Sequence, residues 1–214
     1  MAKISDKVRA EYYGILKEHV PERCIDEIID YMEKYAIHMS ITRKRFSKHG
    51  DYSPPGRVSR HHRITVNHNL NKYHFLLTFY HELAHLLVWE KYGNQVAPHG
   101  KEWQKTFQNL MQDKLTTDCF PAELLPVLKA YFSGYRQIKA TTTPLLQALR
   151  KYDEDKNVLT VEDIPEGTAF ILQNGAAFVK GRKLRTYFLC KEIHSGKEYR
   201  VRGTAEARII DEKS

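Results

Sequence analysis

Between Tyr73 and Tyr92 apolar residues recur at helical spacing, with Leu76, Leu77, Tyr80, Leu83, Ala84, Leu87 and Val88 forming a wide stripe. Asn69 or Asn71 supplies a cap and Gly93-Asn94 a stop, so the pattern predicts a helix over 72–92. Helices are also expected near 3–18 and over 21–35, the second with Pro21 early and Ile25, Ile28, Ile29 and Met32 on one face. Segments 37–46 and 64–67 read as strands around a loop containing Ser53-Pro54-Pro55-Gly56. Helical spacing returns over 100–114, over 121–135 with a break near Pro126, and from Thr143-Pro144 to about Tyr152.

After Asp153-Glu154-Asp155-Lys156-Asn157 the texture becomes β-rich. Runs at 168–172, 176–179, 186–191 and 199–202 are separated by Asn174-Gly175, Gly181-Arg182-Lys183 and Ser195-Gly196, the residues of tight hairpin turns. The expected class is α+β with two domains. Residues 1–153 would hold helices plus a small sheet, and residues 154–214 a small antiparallel β-barrel-like module of SH3-like size.

His81-Glu82-Leu83-Ala84-His85 lies inside the strongest helical pattern. Histidines four residues apart share a helix face, so both imidazoles can reach one zinc at roughly 2.0–2.1 Å, with Glu82 projecting beside it as a base. A third ligand sets the subclass. The form in which a glycine and a histidine follow within a short turn is absent, because Val88 and Lys91 occupy those places. Downstream, His99 opens the pattern Pro98-His99-Gly100-Lys101-Glu102-Trp103, where Gly100 would let the backbone pass close to the metal. His99 is the expected third ligand, and Glu102, one turn on, is its competitor.

The strand Ile64-Thr65-Val66-Asn67, the turn Asn69-Leu70, His-Glu-Leu-Ala-His and then His99-Gly100-Lys101-Glu102-Trp103 occur in an order that resembles the SprT-like metallopeptidases. The resemblance covers roughly residues 4–115 and implies a zincin-like metallopeptidase domain. It further implies one zinc per chain held by His81, His85 and His99, with Glu82 as catalytic base. Spartan-related members cleave proteins crosslinked to DNA, so DNA is an implied partner beside the protein or peptide substrate. Many members end in a zinc ribbon of two closely spaced cysteine pairs. This chain has only Cys24, Cys119 and Cys190, at no such spacing, so no ribbon can form and no disulfide framework is expected. Cys190 with His194 makes at most half a metal site and reads as a packed thiol in a strand.

The net charge of +8 and pI of about 9.3 come from clustered basic residues. Arg57, Arg60 and Arg63 belong to one cluster; Lys180, Arg182, Lys183, Arg185 and Lys191 form another in the β module. Such patches suit single-stranded DNA or another polyanion. The opening Met1-Ala2-Lys3-Ile4-Ser5-Asp6-Lys7 lacks a signal peptide's apolar core and no run is long enough to span a bilayer, so a cytoplasmic protein without membrane partners is expected.

Two functional classes compete: a zinc metalloendopeptidase, and a zinc-stabilised nucleic-acid-binding protein with little proteolysis. An intact Glu82 favours the enzyme, because holding zinc needs no unliganded carboxylate. Tyr52, Arg57, Arg63 and Tyr92 are all open as oxyanion stabilisers. The strand Ile64–Asn67 is expected to offer an edge along which an extended peptide pairs through main-chain hydrogen bonds.

Overall fold

The computed structural model describes residues 4–45, 48–57, 59–133, 143–154 and 159–210. The chain divides into two compact units, residues 1–153 and 154–214.

In the first unit, helix α1 (Asp6–Leu16) starts where the Ser5 hydroxyl accepts from the Val8 amide. A single 3₁₀ turn (Glu22–Cys24) leads into α2 (Ile25–Lys34), whose Ile25, Ile28, Ile29 and Met32 are all buried. Three short strands follow: β1 (His38–Thr42), β2 (Gly50–Ser53) and β3 (Arg63–Asn67). They pair in the order β1-β3-β2, β3 running parallel to β1 and antiparallel to β2. Strand β2 is missing from the hydrophobic pattern because Gly-Asp-Tyr-Ser has no apolar alternation, and its ladder with β3 holds it instead. This order corrects one expectation. β3 is paired on both sides, so the strand preceding the long helix is central and the free edges belong to β1 and β2.

Buried Asn67 joins the connection between β1 and β2 to the sheet. Its amide donates to the carbonyls of Arg45 at 3.1 Å and Lys48 at 3.0 Å, and its carbonyl accepts from Arg45 Nε at 2.8 Å.

Helix α3 (Lys72–Tyr92) is the centre of this unit, buried from His74 to Tyr80 and again at Glu82, Leu83, Ala84, Leu86 and Val88. A helix apolar on most sides is stable only when other elements surround it; β2, β3 and α4 (Lys101–Gln112) all pack on α3. It ends at Gly93, whose φ of 57° closes the last turn through a bond to the Trp89 carbonyl at 2.7 Å. Helix α5 (Leu125–Ser133) begins four residues later than the pattern suggests. Pro126 falls in its first turn, where a missing amide hydrogen costs nothing, so the expected break does not occur. The proposed end of that helix, at Tyr135, lies outside the described residues. Helix α6 (Thr143–Arg150) completes the unit. No helix among the described residues is long and apolar enough to cross a membrane.

The second unit is a six-stranded antiparallel sheet of β4 (Leu159–Thr160), β5 (Ala169–Leu172), β6 (Ala177–Lys183), β7 (Tyr187–Glu192), β8 (Glu198–Arg202) and β9 (Glu206–Ile209). Its order is β4-β9-β5-β6-β7-β8. Among the described residues nothing pairs β8 with β4, so the sheet is open and not the barrel-like closure expected. The two-residue β4 and four-residue β9 are too short to show a period and are held by their ladders. Gly181-Arg182-Lys183 is not a turn but the bulged end of β6, where the register shifts between Lys180 and Lys183. Gly181 is required there because a Cβ would lie 2.2 Å from the Leu189 carbonyl oxygen. The core comprises Val161, Ile164, Phe170, Phe178, Phe188, Cys190 and Val201, so Cys190 is the packed strand thiol expected.

Asn71 anchors the start of α3. Its side-chain oxygen accepts from the Tyr73 and His74 amides at 3.1 and 3.0 Å, while its nitrogen donates to the Leu149 carbonyl and the Asp153 carboxylate. Asn71→Ala removes the cap and leaves those acceptors unpaired, so it is expected to destabilise the protein by about 1–3 kcal/mol. Urea denaturation followed by circular dichroism checks this; a loss under a few tenths would show that the cap is dispensable.

Candidate metal centre

One helix turn separates His81 from His85, which places both imidazoles on the same face of α3. The third ring comes from the segment that reverses the chain between α3 and α4. There His99 adopts φ 58°, a left-handed conformation unusual for a residue with a side chain, and it persists only where the surroundings enforce it. The strained residue is therefore His99 itself and not Gly100, which is extended and caps α4. Gly100 is needed for a different close approach, since a Cβ there would lie 2.9 Å from the Ala97 carbonyl. The Gln104 side chain then donates to the His99 carbonyl at 3.0 Å.

The outcome is a convergence of three ring nitrogens. His99 Nε2 lies 3.0 Å from His85 Nε2 and 3.1 Å from His81 Nε2, and one donor atom from each residue lies within 4.8 Å of the others. Among the described residues these three form the only such group, and Glu102 is not part of it. Beneath them, fully buried Trp103 packs its ring 4.6 Å from His81, 5.2 Å from His85 and 4.7 Å from His99. That supporting floor is not legible in the spacing, which marks Trp103 only as an apolar position.

Electrostatics suit a cation. Burial lowers His81 to about 3 and His85 to about 4 and lowers His99 as well, with the neighbouring imidazoles adding to the fall at His81 and His85. All three are therefore neutral near pH 7 and offer lone pairs. A neutral imidazole carries one N–H, so His99 Nε2 cannot form a full hydrogen bond to both neighbours at once. A metal accepting all three lone pairs removes the conflict. Around a tetrahedral ion with bonds of about 2.0–2.1 Å, ligand nitrogens sit roughly 3.3–3.4 Å apart, within a few tenths of the spacing found. The residues fit a metal ion.

Glu82 is buried on the sheet side of α3, against the edge strand β2. Burial first, and the Asp51 charge second, push its carboxyl up to about 8, while Lys48, Arg45 and the Tyr52 backbone amide pull the other way. Gly50 makes this contact fit: a Cβ there would lie 2.7 Å from Glu82 Oε1 and 2.6 Å from Thr78 Cγ2. Next to it Tyr52 hydrogen-bonds His62 Nδ1 at 3.0 Å, and His62 Nε2 faces Glu90 at 3.3 Å.

The basic residues divide. Arg57, Arg60, Arg63, Arg182 and Arg185 are exposed. Lys183 is exposed but pairs with Glu162 at 2.5 Å. Lys180 is 6% exposed, donates to the Glu162 and Ile164 carbonyls and lies over the Phe188 ring. It is a core cation satisfied by backbone oxygens, which removes it from the expected surface patch.

Gly50→Ala is expected to displace Glu82 and cost about 1–3 kcal/mol. Gly56→Ala, with open space around its Cβ, should stay within about 0.5 kcal/mol of wild type. Thermal unfolding of the two variants compares them; equal stability would show that the Gly50–Glu82 contact is slack.

Residues 26–122, which run from α2 through the sheet, α3, His99 and α4, match the SprT-like family. A stretch of 31 residues is 61% identical to Protein SprT of Klebsiella pneumoniae (strain 342) and to Protein SprT of Escherichia coli (strain K12), covering 14% of this chain. The chain spans 18% of the length of these curated relatives. No solved structure matches it. The converging histidines lie on the same elements as the matched segment, so the part of the chain that is similar to the SprT-like family, residues 26–122, is the part that carries the site.

Proposed function

We propose that this chain is a zinc-dependent endopeptidase in which His81, His85 and His99 hold the ion and Glu82 is the catalytic base. The observation that carries the reading is a buried carboxyl one residue from a metal-competent histidine, on the same helix, which a purely structural site would not need. A zinc ion held there supplies a Lewis acid for the scissile carbonyl and acidifies a bound water.

The chain's own residues do the rest. Glu82 accepts a proton from the attacking water and returns it to the leaving amine. Its raised pKa falls again beside a cation, which brings it toward the operating pH where a base is most effective. The Tyr52 amide holds the carboxylate in place. Trp103 under the three rings fixes their planes and excludes water from below. The edge strand β2 offers main-chain groups to an extended peptide, a mode that carries little side-chain specificity. Exposed arginines at positions 57, 60, 63, 182 and 185 support placement on nucleic acid, so that location rather than sequence selects the protein to be cut.

Glu82→Gln is expected to keep one zinc per chain and lose at least about a hundredfold in hydrolysis of a denatured protein substrate. His99→Ala should lose the zinc and Glu102→Ala keep it. Metal analysis by mass spectrometry together with a cleavage assay tests all three. A zinc-loaded Glu82→Gln protein as active as wild type would refute the base. A zinc-loaded wild type that cuts nothing, with or without single-stranded DNA, would favour the binding-protein reading.

Binding to single-stranded DNA should weaken linearly in the logarithm of salt concentration. Replacing Arg57, Arg60 and Arg63 by Gln should lower both affinity and slope, as should replacing Arg182, Lys183 and Arg185. Lys180→Gln should instead lower stability. Fluorescence anisotropy at several salt concentrations reads the first effects, and absence of binding at low salt would remove nucleic acid from the account.

A further inference from the structure

Cys24 and Cys119 are 95 residues apart, yet their sulfurs lie 3.0 Å from each other. The former ends the 3₁₀ turn before α2, and the latter lies in the turns between α4 and α5. A third cysteine, Cys190, stands alone in the other unit. We propose that Cys24 and Cys119 are an oxidisable pair that a peroxide converts into a disulfide. The proposal is independent of the protease reading.

Three features support it. The separation exceeds a disulfide bond by only about 1 Å, and the looped backbone at Cys119 can supply that movement. Both cysteines line a pocket of about 120 Å³ whose wall includes the exposed residues Arg23 and Asp118, which gives room for a molecule as small as a peroxide. The surroundings also differentiate the two thiols. Cys24 donates to Cys119, which lowers Cys119 against the opposing effect of burial, and Thr116 and the Lys114 charge lower it further; the same bond and burial both raise Cys24. Cys119, the thiol that loses its proton more readily, is the nucleophile, and Cys24 is the resolving thiol.

The chemistry balances. The Cys119 thiolate attacks one peroxide oxygen and the O–O bond breaks, leaving a sulfenic acid and a hydroxide that is protonated to water. Cys24 then attacks the Cys119 sulfur. The S–S bond forms, the S–O bond breaks, and the departing hydroxide takes the Cys24 proton as a second water. Two thiols are oxidised by two electrons and one peroxide is reduced; a dithiol reverses the step by exchange. The bond closes a loop containing the sheet, α3 and the three histidines, so the oxidised form should unfold at a higher temperature.

The experiment treats the full chain with hydrogen peroxide, quenches free thiols with iodoacetamide and maps peptides without reduction. Expected are a Cys24–Cys119 linked peptide, an intact mass lower by two hydrogens before alkylation, and a Tm raised by roughly 5 °C or more, all reversed by dithiothreitol. Cys119→Ser and Cys24→Ser should lack the linked peptide, and the dithiothreitol reversal on wild type needs no variant to fold. Oxidation of Cys119 to sulfinic acid with no linked peptide would overturn the proposal. So would thiols that react only after denaturation, or a wild type in which both cysteines hold zinc.

Discussion

Three neutral imidazoles, with His99 Nε2 about 3 Å from the Nε2 atoms of both His81 and His85 and too few hydrogens to bond both, are the constraint around which the first unit is built. It demands a helix rigid enough to hold His81 and His85 in line, which α3 achieves by being buried on most of its surface. It also demands a chain reversal short enough to return His99 to the same point, achieved by a left-handed residue where a glycine would be easier. Strain and unsatisfied polarity concentrated at one place are the features of a site, not of a core.

The second requirement is a carboxyl that remains close to this centre without joining it. Glu82 is turned toward the edge strand β2, where the absence of a side chain at Gly50 leaves it room and the Tyr52 amide gives it a hydrogen bond. The small sheet thus does more than cover α3. Its edge strand β2 also receives the Glu82 carboxyl, which packs against Gly50.

Much of this was legible beforehand because the relevant interactions are local. The 72–92 helix was readable to its ends, since its cap, stripe and terminal glycine are adjacent in sequence. His81, His85 and His99 were readable as a group because helical spacing and one short connection bring them together. What escaped depends on partners distant in sequence. Strand β2 exists only because β3 pairs with it, and β3 is central only because β1 lies on its other side. The approach of Cys24 to Cys119, the Trp103 floor and the burial of Lys180 over Phe188 likewise come from packing that no spacing encodes. Gly181 was misread because glycine serves a bulge as readily as a turn.

X-ray absorption spectroscopy at the zinc edge of the zinc-loaded protein tests the central claim most directly. A first shell of three histidine nitrogens and one water-type oxygen at about 2.0–2.1 Å, without sulfur, is the result this account requires. Sulfur scattering near 2.3 Å, or only two histidines in the shell, would contradict it.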